Sequence, residues 1–186
     1  EVHDRLRHMG GLNATLTTAQ TVALTLNGIT ADNMAQRIGD ANFSDVQWWA
    51  EWYADTGATA SNATVTVTYN DGTTGNLTTF AAGGTIRAGR MIPLNQLIPA
   101  AASGKYIRSI DSVQLSASTA AAGNFGFTCT RPRLTMPLLL ANKMEIFDWS
   151  QLGFPEIFNS SCLTIIELCS TTSTGTVRGG GKIIHG

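Results

Sequence analysis

Ala63-Thr64-Val65-Thr66-Val67-Thr68-Tyr69, followed at once by Asn70-Asp71-Gly72, is the stretch that decides the fold class. Apolar and hydroxyl side chains alternate through it with a period of two, which places Val65, Val67 and Tyr69 on one face of a strand and the threonines on the other. Asp71-Gly72 then supplies a tight turn, because glycine adopts positive φ without a steric cost. The spacing predicts a half-buried antiparallel strand with a hairpin return over residues 76–80.

Working outward, the same chemistry recurs. Residues 14–26, 46–54, 86–94, 106–118, 124–133, 144–149, 162–169 and 176–184 are rich in Thr, Val, Ile and aromatic residues and are separated by Gly, Asn and Pro signals. Such residues suit a pleated surface. One short helix is predicted over 30–39, where Thr30 can cap and Gly39 can terminate. Residues 1–13 carry charges and then Gly10-Gly11 without strand or helix periodicity, and read as an extended N-terminal arm. The expected architecture is therefore all-β: an antiparallel β-sandwich of jelly-roll type over residues 14–186, one domain, with an arm at 1–13.

Composition narrows the function. Charged residues make up 13% of the 186 and the net charge is −1, against about 25% charged in an average soluble protein. A chain so nearly neutral is not an electrostatic nucleic-acid binder. It has only three lysines, Lys105, Lys143 and Lys182, and lysine is depleted in protein interfaces, so a self-associating subunit is expected. No apolar run approaches the ~20 residues a membrane span needs; the most apolar one, 134–141, is short and contains Pro137. The three cysteines, Cys129, Cys162 and Cys169, read as free thiols, with Cys162 and Cys169 on opposite faces of one strand.

Motifs for chemistry are missing. Gly179-Gly180-Gly181-Lys182 is followed by Ile183 rather than Ser or Thr, so it fails as a phosphate loop. Glu51 and Asp55 would share a strand face some ~13 Å apart, too far for a glycosidase pair. The five N-x-[ST] sequons, at Asn13, Asn42, Asn62, Asn76 and Asn159, follow from a composition rich in Asn and Thr. No catalytic residue, cofactor site or metal site is assigned, and no enzyme activity is expected. The most unusual local feature is Gln47-Trp48-Trp49-Ala50-Glu51-Trp52-Tyr53. In a strand, Trp48 and Trp52 share one face and Trp49 and Tyr53 the other, so one face is core and the other is either a second buried layer or an exposed surface for an interface or sugar stacking.

Five segments, in order, resemble a family of tailed-bacteriophage virion structural proteins. They are Asp4-Arg5-Leu6 with His8, Gly10, Gly11 and Leu12; Tyr69-Asn70-Asp71-Gly72-Thr73-Thr74-Gly75; Arg90-Met91-Ile92-Pro93-Leu94; Ala122-Gly123-Asn124-Phe125-Gly126; and Ser161-Cys162-Leu163. The resemblance implies a capsid decoration or cement protein on the virion surface, assembled in the bacterial host cytoplasm. It implies a homotrimer that contacts the major capsid protein, with no nucleic-acid or membrane partner and no cofactor. The expected interface residues are Asp4, Arg5, Leu6 and His8 in the arm and Trp48, Trp49, Trp52 and Tyr53 in the aromatic strand. The alternative is a tail, collar or fibre-base module that recognises host glycans.

Overall fold

The computed structural model describes residues 1–28, 34–137, 146, 148, 153 and 156–168. Its elements in chain order are β1 (Val2–Asn13), β2 (Gln20–Thr25), α1 (Met34–Ile38), β3 (Gln47–Trp52), β4 (Asn62–Tyr69), β5 (Thr74–Asn76), β6 (Phe80–Ala81), β7 (Met91–Pro93), β8 (Ile107–Leu115), β9 (Asn124–Leu134) and β10 (Leu163–Ile165). Two antiparallel sheets result, with strand orders β10-β1-β9-β3-β7 and β2-β8-β4-β5, and β6 pairs with β4. With β6 and β10 set aside, consecutive strands alternate between the sheets except at the β4–β5 hairpin. The interleaved orders β1-β9-β3-β7 and β2-β8-β4-β5 are the winding of a jelly roll.

The decisive stretch behaves as its alternation requires. Val65, Val67 and Tyr69 are buried and the intervening threonines are half-buried. The inner faces meet as Trp48, Ala50 and Trp52 of β3 with Phe125, Phe127 and Cys129 of β9, against Val65 and Val67 of β4 and Ile110, Val113 and Leu115 of β8. Trp52 stacks on Phe125 with centroids 5.9 Å apart and meets Phe80 edge-on at 6.4 Å. Each such side chain contributes roughly 1.5–3 kcal/mol by leaving water.

Residues 1–13 are not an arm. Val2–Asn13 is a full strand of the first sheet, lying between β9 and β10. Its periodicity is hidden by two bulges. Arg5 pairs with Thr130 but Arg7 with Cys129, and Met9 pairs with Phe127 but Leu12 with Phe125. Each bulge adds one residue and reverses the face of everything beyond it. The core-facing residues are consequently Leu6, Met9 and Leu12, three apart, which matches neither the strand nor the helix template. Gly10-Gly11, placed in the expected arm, is the second bulge: Gly11 has φ +89°, and the backbones of β1 and β9 approach closely at Gly10 and Gly126.

Other expectations shift by a few residues. The 14–26 strand begins only at Gln20, and 86–94 contributes only Met91–Pro93. The helix is present as Met34–Ile38, and its expected cap, Thr30, lies outside the described residues. The strands expected at 176–184 and over most of 144–149 lie outside the described residues, as does Cys169, while Cys129 and Cys162 are free thiols. A Cβ on Gly126 would stand 2.7 Å from Gly10 Cα. Gly126→Ala is therefore expected to destabilise the fold by about 2–3 kcal/mol through overpacking against backbone, read as a lowered urea midpoint with an unchanged slope.

Candidate functional site

Two groups of polar side chains among the described residues involve β1. The first is a buried lock. Asp4 is fully buried, and its carboxylate accepts two hydrogen bonds from Arg37 of α1, at 2.7 Å from Nε and 2.6 Å from Nη2. Arg133 of β9 approaches at 3.4 Å, Ser161 Oγ donates at 3.1 Å and the Cys162 N–H at 3.0 Å. Burial alone would raise the Asp4 pKa. The Arg37 hydrogen bonds and charge, with the Cys162 and Ser161 donors, outweigh it and hold the carboxyl below its ordinary value.

One residue earlier, on the opposite face of β1, His3 is also fully buried. Its ring meets Trp49 edge-on at 5.9 Å. Thr130 Oγ1 lies 2.9 Å from His3 Nδ1 and also accepts the Trp49 indole N–H at 2.9 Å. His3 Nε2 lies 2.9 Å from Glu1 Oε2. Burial lowers the His3 pKa despite the Glu1 carboxylate beside it, so the ring is held neutral.

The second group is half-exposed, further along the outer face of the same sheet. Glu51 Oε2 accepts hydrogen bonds from Thr128 Oγ1 at 2.7 Å and from the Tyr53 hydroxyl at 3.1 Å. Glu51 Oε1 faces Arg5 Nη2 at 3.5 Å. His8 Nδ1 lies 3.2 Å from both Thr128 Oγ1 and the Tyr53 oxygen, and the His8 and Tyr53 rings are edge-to-face at 5.6 Å. Burial and the Glu51 charge push the Tyr53 phenol well above its usual range, so it remains a donor. Arg5 and His8, an odd number of residues apart, face the same way only because the first β1 bulge lies between them.

Of the expected interface residues, Asp4, Leu6, Trp48, Trp49 and Trp52 are buried inside the chain and offer no surface to a partner. Both faces of the aromatic strand are covered: Trp48 and Trp52 by the sandwich core, Trp49 beneath His3. Trp48 also donates its indole N–H to the Ile107 carbonyl at 2.9 Å, tying the two sheets. Arg5, His8 and Tyr53 retain exposure and come together around Glu51. Sequence reasoning weighed Glu51 only as half of a carboxylate pair and missed Thr128, Arg37 and Arg133. The available signal was phase: Glu51 shares the outer phase of β3 with Trp49 and Tyr53.

Among the described residues little else is arranged for chemistry. Asp55 pairs with Arg87 at the surface, at 2.6 Å, rather than with Glu51. A groove of about 380 Å³ is lined by Ser44, Asn95, Pro99, Lys105 and Tyr106 among others. Its Lys105 is already paired with Asp71 at 2.8 Å, and Asn95 is bonded to the Trp48 and Val46 backbone. Among the described residues no His, Cys, Asp and Glu cluster could hold a metal ion, and no helix is long and apolar enough to cross a membrane. Compared with models of known families, with curated proteins and with solved structures, the chain has no match.

Two outcomes follow from the lock. Asp4→Asn leaves Arg37 and Arg133 buried without a countercharge and is expected to cost about 3–5 kcal/mol in urea unfolding. For pH, the unfolded His3 protonates near its ordinary 6.5 while the folded ring resists. The His3 contribution is thus complete above about pH 6.5 and declines as pH falls below it. The Asp4 contribution holds above its ordinary 3.8 and is lost in stronger acid. A stability titration of His3→Gln is expected to lose the first decline and keep the second.

Proposed function

We propose that the protein is a structural component of a bacteriophage virion, a capsid decoration or cement protein that bridges capsomers as a homotrimer. One observation carries this reading. The first and last of the five segments that resemble the virion family meet in space, since Asp4 accepts hydrogen bonds from Ser161 Oγ and the Cys162 N–H across 157 and 158 residues. The other segments are also structural parts: Tyr69 to Gly75 is the β4–β5 hairpin, Arg90 to Leu94 holds β7, and Ala122 to Gly126 opens β9. The ordered matches thus fall on joints of one fold rather than on scattered surface residues.

Two further points support it. Jelly rolls serve many capsid and lectin domains, a fold-level analogy. The charged side chains that enter the interior fasten strands, as a subunit held under shell pressure needs. Contacts repeated over a symmetric lattice add avidity even where each is modest.

Antibody against the chain, visualised by immunogold electron microscopy on particles of the source phage, is expected to label the head. Label confined to tail or neck would replace this reading with a joining or host-recognition role, and absence of label from intact particles would overturn surface display. Light scattering on the purified chain is expected to give the mass of three 19.7 kDa chains; a monomer would remove the trimer.

A further inference from the structure

The Glu51 group has unused hydrogen-bonding capacity of a definite pattern. Thr128 and Tyr53 each carry one hydroxyl proton, and both protons go to Glu51 Oε2. Their oxygens therefore offer His8 only lone pairs, which makes His8 Nδ1 the donor in the neutral ring and leaves Nε2 as an acceptor. Among the described residues Glu51 Oε1 meets only the long 3.5 Å contact with Arg5, so its lone pairs are under-used. Arg5 Nε is buried without a partner. The group is reachable, with side-chain exposures of 28% for Arg5, 41% for His8 and 15% for Glu51.

We propose that this face of the first sheet, at Arg5, His8, Glu51 and Tyr53, is a binding site for neutral carbohydrate. Two acceptors, Glu51 Oε1 and His8 Nε2, stand beside the donor fork of Arg5. That combination suits adjacent hydroxyls, each of which both gives and takes a hydrogen bond. Arg5 and Glu51 cancel in charge, and an anionic ligand drawn to Arg5 would meet the Glu51 carboxylate, which selects an uncharged sugar. The edge-to-face rings of Tyr53 and His8 supply apolar surface for the C–H face of a pyranose.

The site is built, not incidental to an exposed strand. The bulge between Arg5 and Arg7 turns Arg5 and His8 to one face. Gly10 lets β1 lie against the Tyr53 ring, where a Cβ would come within 3.1 Å of Cε2. The inference does not depend on the cement reading, because a sugar site on this face can fail without altering where the chain sits in a particle.

The test is saturation-transfer NMR and calorimetry on the whole chain. The probes are methyl glycosides of glucose, galactose, mannose, rhamnose and N-acetylglucosamine, with methyl glucuronide as an acidic comparison. At least one neutral glycoside is expected to bind, and Glu51→Gln and Arg5→Gln are each expected to weaken it about tenfold, the loss of one charge-assisted hydrogen bond. Lys105→Gln, which breaks the pair with Asp71 at the β4–β5 turn of the other sheet, is expected to change nothing. Melting curves identify any variant that fails to fold, and Tyr53→Phe, which keeps the ring and removes one donor to Glu51, gives an independent weakening. Absence of binding by every neutral glycoside, binding of the glucuronide alone, or binding indifferent to all three site variants would overturn the proposal.

Discussion

The insertion of β1 between β9 and β10 is the constraint on which the rest of the molecule depends. The first sheet has no continuous inner face without it, since Leu6 and Leu12 belong to the core. An inserted strand must be held in one register, because a slip of one residue would turn every side chain to the wrong face. The Asp4 lock does this from three directions: α1 through Arg37, β9 through Arg133, and the segment before β10 through Ser161 and Cys162. A buried ion cluster is a poor source of net stability, because desolvating its charges costs about as much as their attraction returns. Its value here is discrimination. Any misregistered β1 leaves two arginines buried without their carboxylate, a state far worse than the native one.

The same logic explains which parts of the fold were legible in the sequence. The alternation of β4 was plain because its core residues, Ala63, Val65, Val67 and Tyr69, keep strict period two and its outer face takes hydroxyls. In β8 the buried apolar residues Ile107, Ile110, Val113 and Leu115 are spaced unevenly, since register shifts fall between Thr66 and Val67 and between Thr68 and Tyr69 of its partner. It still read as a strand because β-branched residues recur through it. β1 has the same uneven spacing but is filled with Asp, Arg, His and Gly, so neither pattern nor propensity marked it. A bulge is a relation between two strands, and a single strand's sequence does not contain it.

The aromatic strand was legible as a strand and undecided as a surface. Three tryptophans on two faces left open whether the outer face was covered or exposed. The exposed alternative assumes a smooth sheet with solvent beyond it. In the structure His3 lies over Trp49 from β1, and Thr130 serves both rings. The pieces of this outer layer are more than 40 residues apart in the chain. Only after β1 was known to sit beside β9 could His3, Arg5 and His8 be assigned to the same face as Thr128 and Thr130, and so to the neighbourhood of Glu51.

The edges of the sheets then limit how strands of another chain could pair with this one. β2 carries a bulge between Thr21 and Leu24, with Ala23 at φ +50°, which twists that edge away from flat pairing. β7 presents Pro93, which has no N–H to donate to a further strand. β5 is three residues long and contains Gly75. β10 is equally short, and a three-residue edge offers few ladder hydrogen bonds, although Leu163 and Ile165 are exposed along it. Among the described elements, extended edge-to-edge growth is therefore disfavoured. Association through the described residues would have to use side-chain surfaces, in a chain whose net charge is −1 and whose charged share is 13%. Surfaces of that kind give contacts that are modest singly and cumulative only where geometry repeats them, which is what the proposed place on a virion lattice would require.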